Sequence, residues 1–335
     1  MRYKKFSRIE EPISELGLGC WGFSGKSVWD NSDDTNTLNV ISAAIDKGVN
    51  FIDVAPVYGK GHSETLVGKA LKSGYRSKVI LATKCGLVWN GNSPTVNNLT
   101  KKSIFKEVED SLKRLQTDYI DIYQLHWPDP NTELEETIDA IEELKKQGKI
   151  RYFGMTNFSL EDIEKADKVS TVNSIQGLYN MLEHNPSSYH RIPLHYRTKD
   201  EILPYCQKNG IPFLPYSPLF QGLLTGTFKE NGNFTSQDVR NANPKLNGTY
   251  FGKYYSVVEK LKEATKDWGH SLNEIAINWL SNQEMIGSII AGATSVEQFE
   301  SNSNAMNWQL TEEQYSILDT IVCNVDNIEN SEENI

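Results

Sequence analysis

Hydrophobic residues along the chain gather into eight short runs, at residues 16–20, 51–54, 79–83, 119–125, 152–155, 174–178, 211–216 and 287–291. Each is short and rich in β-branched, aromatic or small residues, as a buried strand should be. Between the runs, apolar positions recur three and four apart. Leu38, Ile41 and Ile45 form one stripe, and Ile104, Val108, Leu112 and Leu115 a second. Leu134, Ile138, Ile141 and Leu144 form a third; Val258, Leu261, Thr265 and Trp268 form a fourth. Such spacing predicts helices that bury one face against a sheet. Gly48, Gly74, Gly148 and Gly210 stand where stripes end and strands begin, the position of a C-terminal capping glycine. Repeated strand–helix alternation predicts an α/β fold, a closed (β/α)8 barrel of TIM-barrel type with a short N-terminal hairpin and long rim loops. An open doubly wound sheet in two domains is the rival, but no Pro/Gly/Ser-rich linker divides the chain. Residues 1–325 are therefore expected to form one barrel domain, and residues 326–335 a polar, frayed tail. Two further segments fall outside the repeat: residues 183–199, rich in His, Tyr, Pro and Arg, and the polar residues 231–251. Long loops of this kind sit over a barrel's active site or decorate its rim.

Composition narrows the function. Across 335 residues, 34 Lys and Arg face 44 Asp and Glu, a net charge of −10 that disfavours a general nucleic-acid binder. No apolar run approaches the roughly 18 residues of a membrane span, and the N-terminus lacks the apolar core of a signal peptide. Cys20, Cys85, Cys206 and Cys323 make no Cys-x-x-Cys pair and no disulfide framework. His184, His190 and His195 match no zinc-ligand spacing. A cytoplasmic, metal-free protein is expected.

Two phosphate-loop patterns fail on context. Gly17, Gly19 and Gly22 fit G-x-G-x-x-G, but a dinucleotide fingerprint must open a helix directly, and no helical period begins until after Asp33. Gly25-Lys26-Ser27 resembles the end of a nucleotide P-loop, yet that motif requires Gly where Cys20 stands. More informative are polar residues at successive strand ends. Asp53 closes one strand with Tyr58 in the following loop; Lys84 closes the next and His126 the one after. Singly these read as a cap residue, a packed aromatic, a solvated amine and a core histidine. Together they share one rim, where strands about 4.8 Å apart let long side chains converge. A Lys ammonium beside a phenol is expected to lower its pKa from about 10. Asp53 would orient Lys84, and His126 could donate a hydrogen bond to a substrate oxygen. Such a group suits proton delivery to a carbonyl oxygen, while hydride must come from a nicotinamide or flavin.

The segments Asp53-Val54-Ala55-Pro56-Val57-Tyr58-Gly59-Lys60-Gly61-His62-Ser63-Glu64, Ala82-Thr83-Lys84 and Ser111-Leu112-Lys113-Arg114-Leu115 lead through Asp118-Tyr119-Ile120-Asp121 to His126-Trp127-Pro128-Asp129. Gly154-Met155-Thr156-Asn157-Phe158, Tyr216-Ser217-Pro218-Leu219 and Gly222-Leu223-Leu224-Thr225-Gly226 follow in order. Over nearly its full length the chain resembles the aldo-keto reductases. The resemblance implies NAD(P)H-dependent reduction of an aldehyde or ketone, keto-sugars included, with Asp53, Tyr58, Lys84 and His126 as the catalytic tetrad and Tyr58 as general acid. It also implies that Thr156, Asn157 and Gln176 bind the nicotinamide carboxamide and that Tyr216 stacks on the ring. Ser217, Leu219, Gly222 and Leu224 match the pyrophosphate loop; Gly292, Thr294, Gln298 and Asn302 match the adenosine end. Ser295 to Gln298 also reads as a capping box. Trp21, Trp89 and Trp127 fall near the rim as candidate pocket walls, Trp21 also as a cofactor contact. Departures from the family pattern are Val54, Thr156, Thr227 and Ser301, and Thr294 and Ser295 stand where many relatives grip a 2′-phosphate with Arg or Lys. Arg240 is the candidate substitute, so NADP(H) is favoured over NAD(H). The alternatives are a cofactor-sensing regulatory subunit with slow or no turnover, and a barrel isomerase or lyase. A homo-oligomer is left open.

Overall fold

The computed structural model describes residues 1–25, 33–72, 74–91, 93–228, 234 and 238–330. Lys26 and Ser27 of the P-loop-like triplet, part of the 231–251 segment and residues 331–335 lie outside these.

An antiparallel hairpin, β1 (Tyr3–Phe6) and β2 (Ile9–Ser14), comes first, as expected. Then follow β3 (Leu16–Gly19), β4 (Phe51–Asp53) and β5 (Ile80–Cys85). A rim hairpin is made by β6 (Leu87–Val88) and β7 (Val96–Asn97). Next come β8 (Ile120–Leu125), β9 (Ile150–Thr156) and β10 (Ser174–Leu178). A second rim hairpin, β11 (Ser188–Tyr189) and β12 (Ile192–Pro193), precedes β13 (Phe213–Tyr216) and β14 (Ile289–Gly292). Among the described residues, β3, β4, β5, β8, β9, β10, β13 and β14 close in that order into a parallel barrel. The ring shuts where Ile289 pairs with Leu16 and Gly292 with Gly19. All eight barrel strands fall on the apolar runs of the sequence.

The helices bury the predicted stripes. In Lys101–Leu115, capped by the Thr100 hydroxyl, Ile104, Val108 and Leu115 are buried; in Leu134–Lys146, so are Ile138, Ile141 and Leu144. The fourth stripe is shorter than its spacing suggested, since the helix Gly248–Thr265 ends before the half-buried Trp268. Gly210 caps Leu203–Asn209 at φ 64°, a left-handed conformation that glycine adopts without steric cost.

Gly17 and Gly19 serve packing. A Cβ on Gly17 would lie 2.6 Å from Ser288 Oγ and 2.8 Å from Phe51, and one on Gly19 would lie 2.8 Å from Ile290. After them comes the single helical turn Trp21–Phe23, and the first barrel helix begins only at Asp34, capped by Asp33.

Strand alternation sorts the barrel interior into layers. Phe51, Ile80, Ala82, Ile122, Leu214 and Ile290 form an apolar floor, sealed by Ile9 and Ile13 of the hairpin. One two-residue step along the strands takes Phe51 to Asp53, Ala82 to Lys84, Ile122 to Gln124 and Ser174 to Gln176. A dry base thus lies directly beneath a polar layer.

Residues 326–330 depart from the expectation of frayed chain. Asn327–Asn330 is helical, Asp326 accepts hydrogen bonds from Asn185 N and Nδ2 at 2.9 Å each, and Glu329 pairs with Lys245 at 2.7 Å. Long-range polar contacts hold this segment, and local sequence pattern cannot show them. No helix among the described residues is long and apolar enough to cross a membrane.

Candidate active site

Asp53 and Lys84 occupy inward positions on adjacent strands, and closure of the barrel removes both from water: Lys84 is 0% exposed and Asp53 2%. Lys84 Nζ donates to Asp53 Oδ2 at 2.7 Å, to Val54 O at 3.2 Å and to Tyr58 Oη at 3.3 Å. An ammonium has three protons and no acceptor, so all three are engaged. Tyr58 therefore receives a hydrogen bond from Lys84, and its own proton must go elsewhere. Leaving either member of a buried pair without its partner costs several kcal/mol, and Asp53 is further braced on Oδ1 by Gln124 Nε2 at 3.2 Å and Gln176 Nε2 at 2.9 Å.

Tyr58 reaches this pair through a tight turn after β4, in which its N–H donates to Ala55 O. Gly59 follows at φ 62°, and a Cβ there would lie 2.2 Å from Ser24 O. Close backbone contact with the 3-10 turn at the end of β3 thus presses the loop over the mouth. His126, just beyond β8, donates its N–H to Cys85 O and meets the Tyr58 ring edge-on with centroids 6.1 Å apart.

Electrostatics correct one expectation. Burial, and then the negative charge of Asp53, push the Tyr58 phenol well above its ordinary value. Lys84 does not lower it as the sequence alone suggests, because that ammonium is already matched by Asp53 at 2.7 Å. Tyr58 is accordingly held protonated. Burial and the Lys84 charge hold His126 well below the usual imidazole range, so its ring is neutral at pH 7. Cys85 is a packed thiol pushed up chiefly by burial.

Several residues assigned to a cofactor by resemblance are partly engaged within the protein. Thr156 Oγ1 lies 3.5 Å from Gln124 Oε1. Asn157 donates to His126 O at 3.2 Å and accepts from Tyr196 Oη at 3.0 Å and Tyr216 Oη at 2.9 Å, which orients the Tyr216 ring. Beyond Tyr216, the loop places Ser217, Phe220 and Gln221 at φ 54°, 47° and 53°, then Gly222 at 101°. Left-handed non-glycine residues cost of order 1–3 kcal/mol each and gather at ligand clamps. Leu219 O accepts from both Gly222 N and Leu224 N, and the buried Leu224 anchors the loop from below. Arg240 is forked onto Asp238, Nε to Oδ1 at 2.9 Å and Nη2 to Oδ2 at 2.6 Å. At the end of β14, Gly292 O accepts from Asn302, whose Oδ1 takes Asn273 Nδ2. Ser295 Oγ caps Gln298 N, but Gln298 Oε1 reaches Thr294 N and Oγ1, so the reciprocal capping box does not form.

The histidines of the 183–199 segment separate. His184 stacks on Trp279, while His190 meets Gln221 and the ring of Trp21, 5.9 Å between centroids. Tyr189 leans on Trp21 at 6.4 Å and on Tyr216 at 5.2 Å, which carries the β11–β12 hairpin across the rim. Trp89 and Trp127 are half-buried. Sequence reading missed Gln124, although it pairs in register with Lys84 and shares the inward parity of Ile122. Tyr189, Gln221 and Tyr196 carried no comparable signal.

Comparison with known proteins shows which family the chain is similar to. The family model described as the Aldo/keto reductase family matches residues 15–322. "Aldo-keto reductase YhdN" of Bacillus subtilis (strain 168) is 38% identical, over 97% of this chain and 94% of the relative. The "NADH-specific methylglyoxal reductase" of Escherichia coli (strain K12) is 34% identical, over 90% and 92%. Among solved structures, the glycerol dehydrogenase AKR11B4 from Gluconobacter oxydans superposes with a TM-score of 0.84 at 34% identity, over 96% of this chain and 95% of that one. With barrel, polar layer and comparisons in agreement, the chain belongs to the aldo/keto reductase family of oxidoreductases.

Proposed function

We propose that the protein reduces a small aldehyde or ketone to the alcohol, with Tyr58 as general acid. The observation that carries this reading is the direction of the Lys84–Tyr58 hydrogen bond. With Lys84 Nζ donating to Tyr58 Oη, the phenolic proton is left for an oxygen in the mouth. A nicotinamide dinucleotide, when bound, supplies hydride to the carbonyl carbon. As the carbonyl oxygen gains negative charge, Tyr58 passes it a proton, and the Lys84 ammonium stabilises the phenolate left behind. Neutral His126 donates a second hydrogen bond to that oxygen. Asp53, held by two amides, keeps Lys84 charged and aimed.

The residues present fit the dinucleotide. Tyr216, oriented by Asn157 and contacted by Tyr189, would stack on the ring, with Thr156 and Gln176 at its amide edge. The strained loop from Ser217 to Gly222 would take the pyrophosphate, and Thr294, Gln298 and Asn302 the adenosine end. The case for NADP(H) rests on Arg240, whose charge is already matched by Asp238. Its selectivity for NADP(H) over NAD(H) is therefore expected to stay below about tenfold, equivalent to about 1.4 kcal/mol. The E. coli relative is NADH-specific by name.

Nicotinamide absorbance, followed with each cofactor against a panel of aldehydes, ketones and keto-sugars, tests both statements. Stoichiometric consumption with at least one carbonyl compound is expected. Tight cofactor binding with no consumption across the panel would favour a sensor, and conversion of substrate without cofactor turnover an isomerase.

A further inference from the structure

Outside the proposed active site, buried charge converges on Lys245, in the short turn Pro244–Leu246. Lys245 is 3% exposed. Its Nζ lies 2.7 Å from Glu183 Oε1 and 2.7 Å from Glu329 Oε1, and donates to Ser188 O at 3.1 Å. The carboxylates are met in turn: Glu183 Oε2 by Asn180 Nδ2 at 2.7 Å, Glu329 by Tyr254 Oη at 2.8 Å and Ser187 Oγ at 2.6 Å. Two carboxylates and one ammonium meet here, Lys245 and Glu183 buried and Glu329 keeping an edge toward the cavity. Apolar side chains often replace such a cluster with equal or greater stability. An apolar patch could not join chosen atoms of four separate segments, as this cluster does.

Those segments lead to the mouth. Ser188 adjoins Tyr189, the ring that packs on Tyr216 and Trp21. Asn180 Nδ2 is shared between Glu183 and Ser217 O, 3.0 Å away, at the first left-handed residue of the loop. Asn243 accepts from Lys245 N through Oδ1 and donates through Nδ2 to Gln221 Oε1 at 3.1 Å. On the opposite side, Glu183, Ser187, Tyr254 and Glu329 border a cavity of about 630 Å³ between the 183–199 segment and the C-terminal residues. Across that space polar bonds tie the two sides together, alongside the packing of Val325 into the core.

We propose that Lys245, gripped by Glu183 and Glu329, is a positioning residue that clasps the β11–β12 hairpin and the C-terminal helix onto the 217–226 loop, so that dinucleotide release requires the clasp to open. The second half of this statement rests on the function proposed above.

Glu329→Ala and Glu329→Gln in the full chain test it, by amide hydrogen exchange without cofactor and by stopped-flow release of NADH and NADPH. Glu329→Ala is expected to speed exchange in residues 187–194 and 217–226 by about tenfold or more, and cofactor release by a similar factor. Glu329→Gln keeps an acceptor for Lys245 and Tyr254, and should return both to within about twofold of the parent. Asn243→Ala, which cuts the link to Gln221 and the cap on Lys245 N but leaves the Lys245 ammonium between its two carboxylates, should loosen the 217–226 loop more than residues 187–194. Unchanged exchange of the 217–226 loop in Glu329→Ala overturns the clasp. Faster exchange with unchanged release overturns its control of the cofactor. If the parent protein binds neither dinucleotide while exchange responds as expected, the clasp stands and the proposed function falls.

Discussion

The floor and the mouth of the barrel both bury charge, in opposite styles. Near the floor, Asp121 accepts from Leu81 N at 2.9 Å, Arg76 at 2.8 Å and Arg151 at 2.9 Å. Arg151 continues to Glu11 of the hairpin at 2.5 Å, and both arginines keep an edge in solvent. Each charge there has several partners, and none is needed at a particular point in space. At the mouth, Lys84 and Asp53 are sealed, and every bond they make orients one phenol whose proton has no partner behind it. Redundant, half-wet charge braces a fold; fully buried charge with a single outward proton is arranged for a reaction. The apolar layer of Phe51, Ala82, Ile122 and Ile290 separates the two, so substitutions at one end should not be felt at the other.

The sharpest break is expected from Lys84→Met, which leaves Asp53 charged and short of its cation. Unfolding free energy in urea should fall by about 3–5 kcal/mol, with turnover lost as well. Tyr58→Phe should separate the two properties, lowering kcat by about 10²–10⁴-fold while the urea midpoint stays put. At the floor the pattern reverses: Asp121→Asn should cost about 1.5–3 kcal/mol in urea with kcat within about twofold of the parent. The smallest effect concerns Glu107, whose carboxylate accepts from Gly86 N at 3.0 Å just beyond Lys84 on β5. Burial pushes this carboxyl from 4.5 up to about 7. The folded protein then holds a proton that the unfolded chain has released, so stability falls as pH rises through that window. Buried neutral histidines such as His126 contribute the opposite slope below about pH 6.5. The effect is therefore read as a difference: in urea titrations from about pH 5 to pH 8 the parent should lose stability relative to Glu107→Gln as pH rises.

Local pattern was enough for the barrel. Strand alternation and the three-and-four spacing of helices depend only on neighbouring residues, and they are enough to place Asp53, Lys84 and His126 on one rim. The same reading puts Tyr58 in the loop after Asp53, and family resemblance then implies its part as general acid. Ring closure decided the rest. Gln124 and Gln176 reach Asp53 from 71 and 123 residues away, the hairpin bearing Tyr189 and His190 follows no periodicity, and Glu329 finds Lys245 across the fold. The protonation of Tyr58 belongs to this second group. Its direction depends on how completely water is excluded and on which neighbour already neutralises Lys84, and both are properties of the assembled barrel.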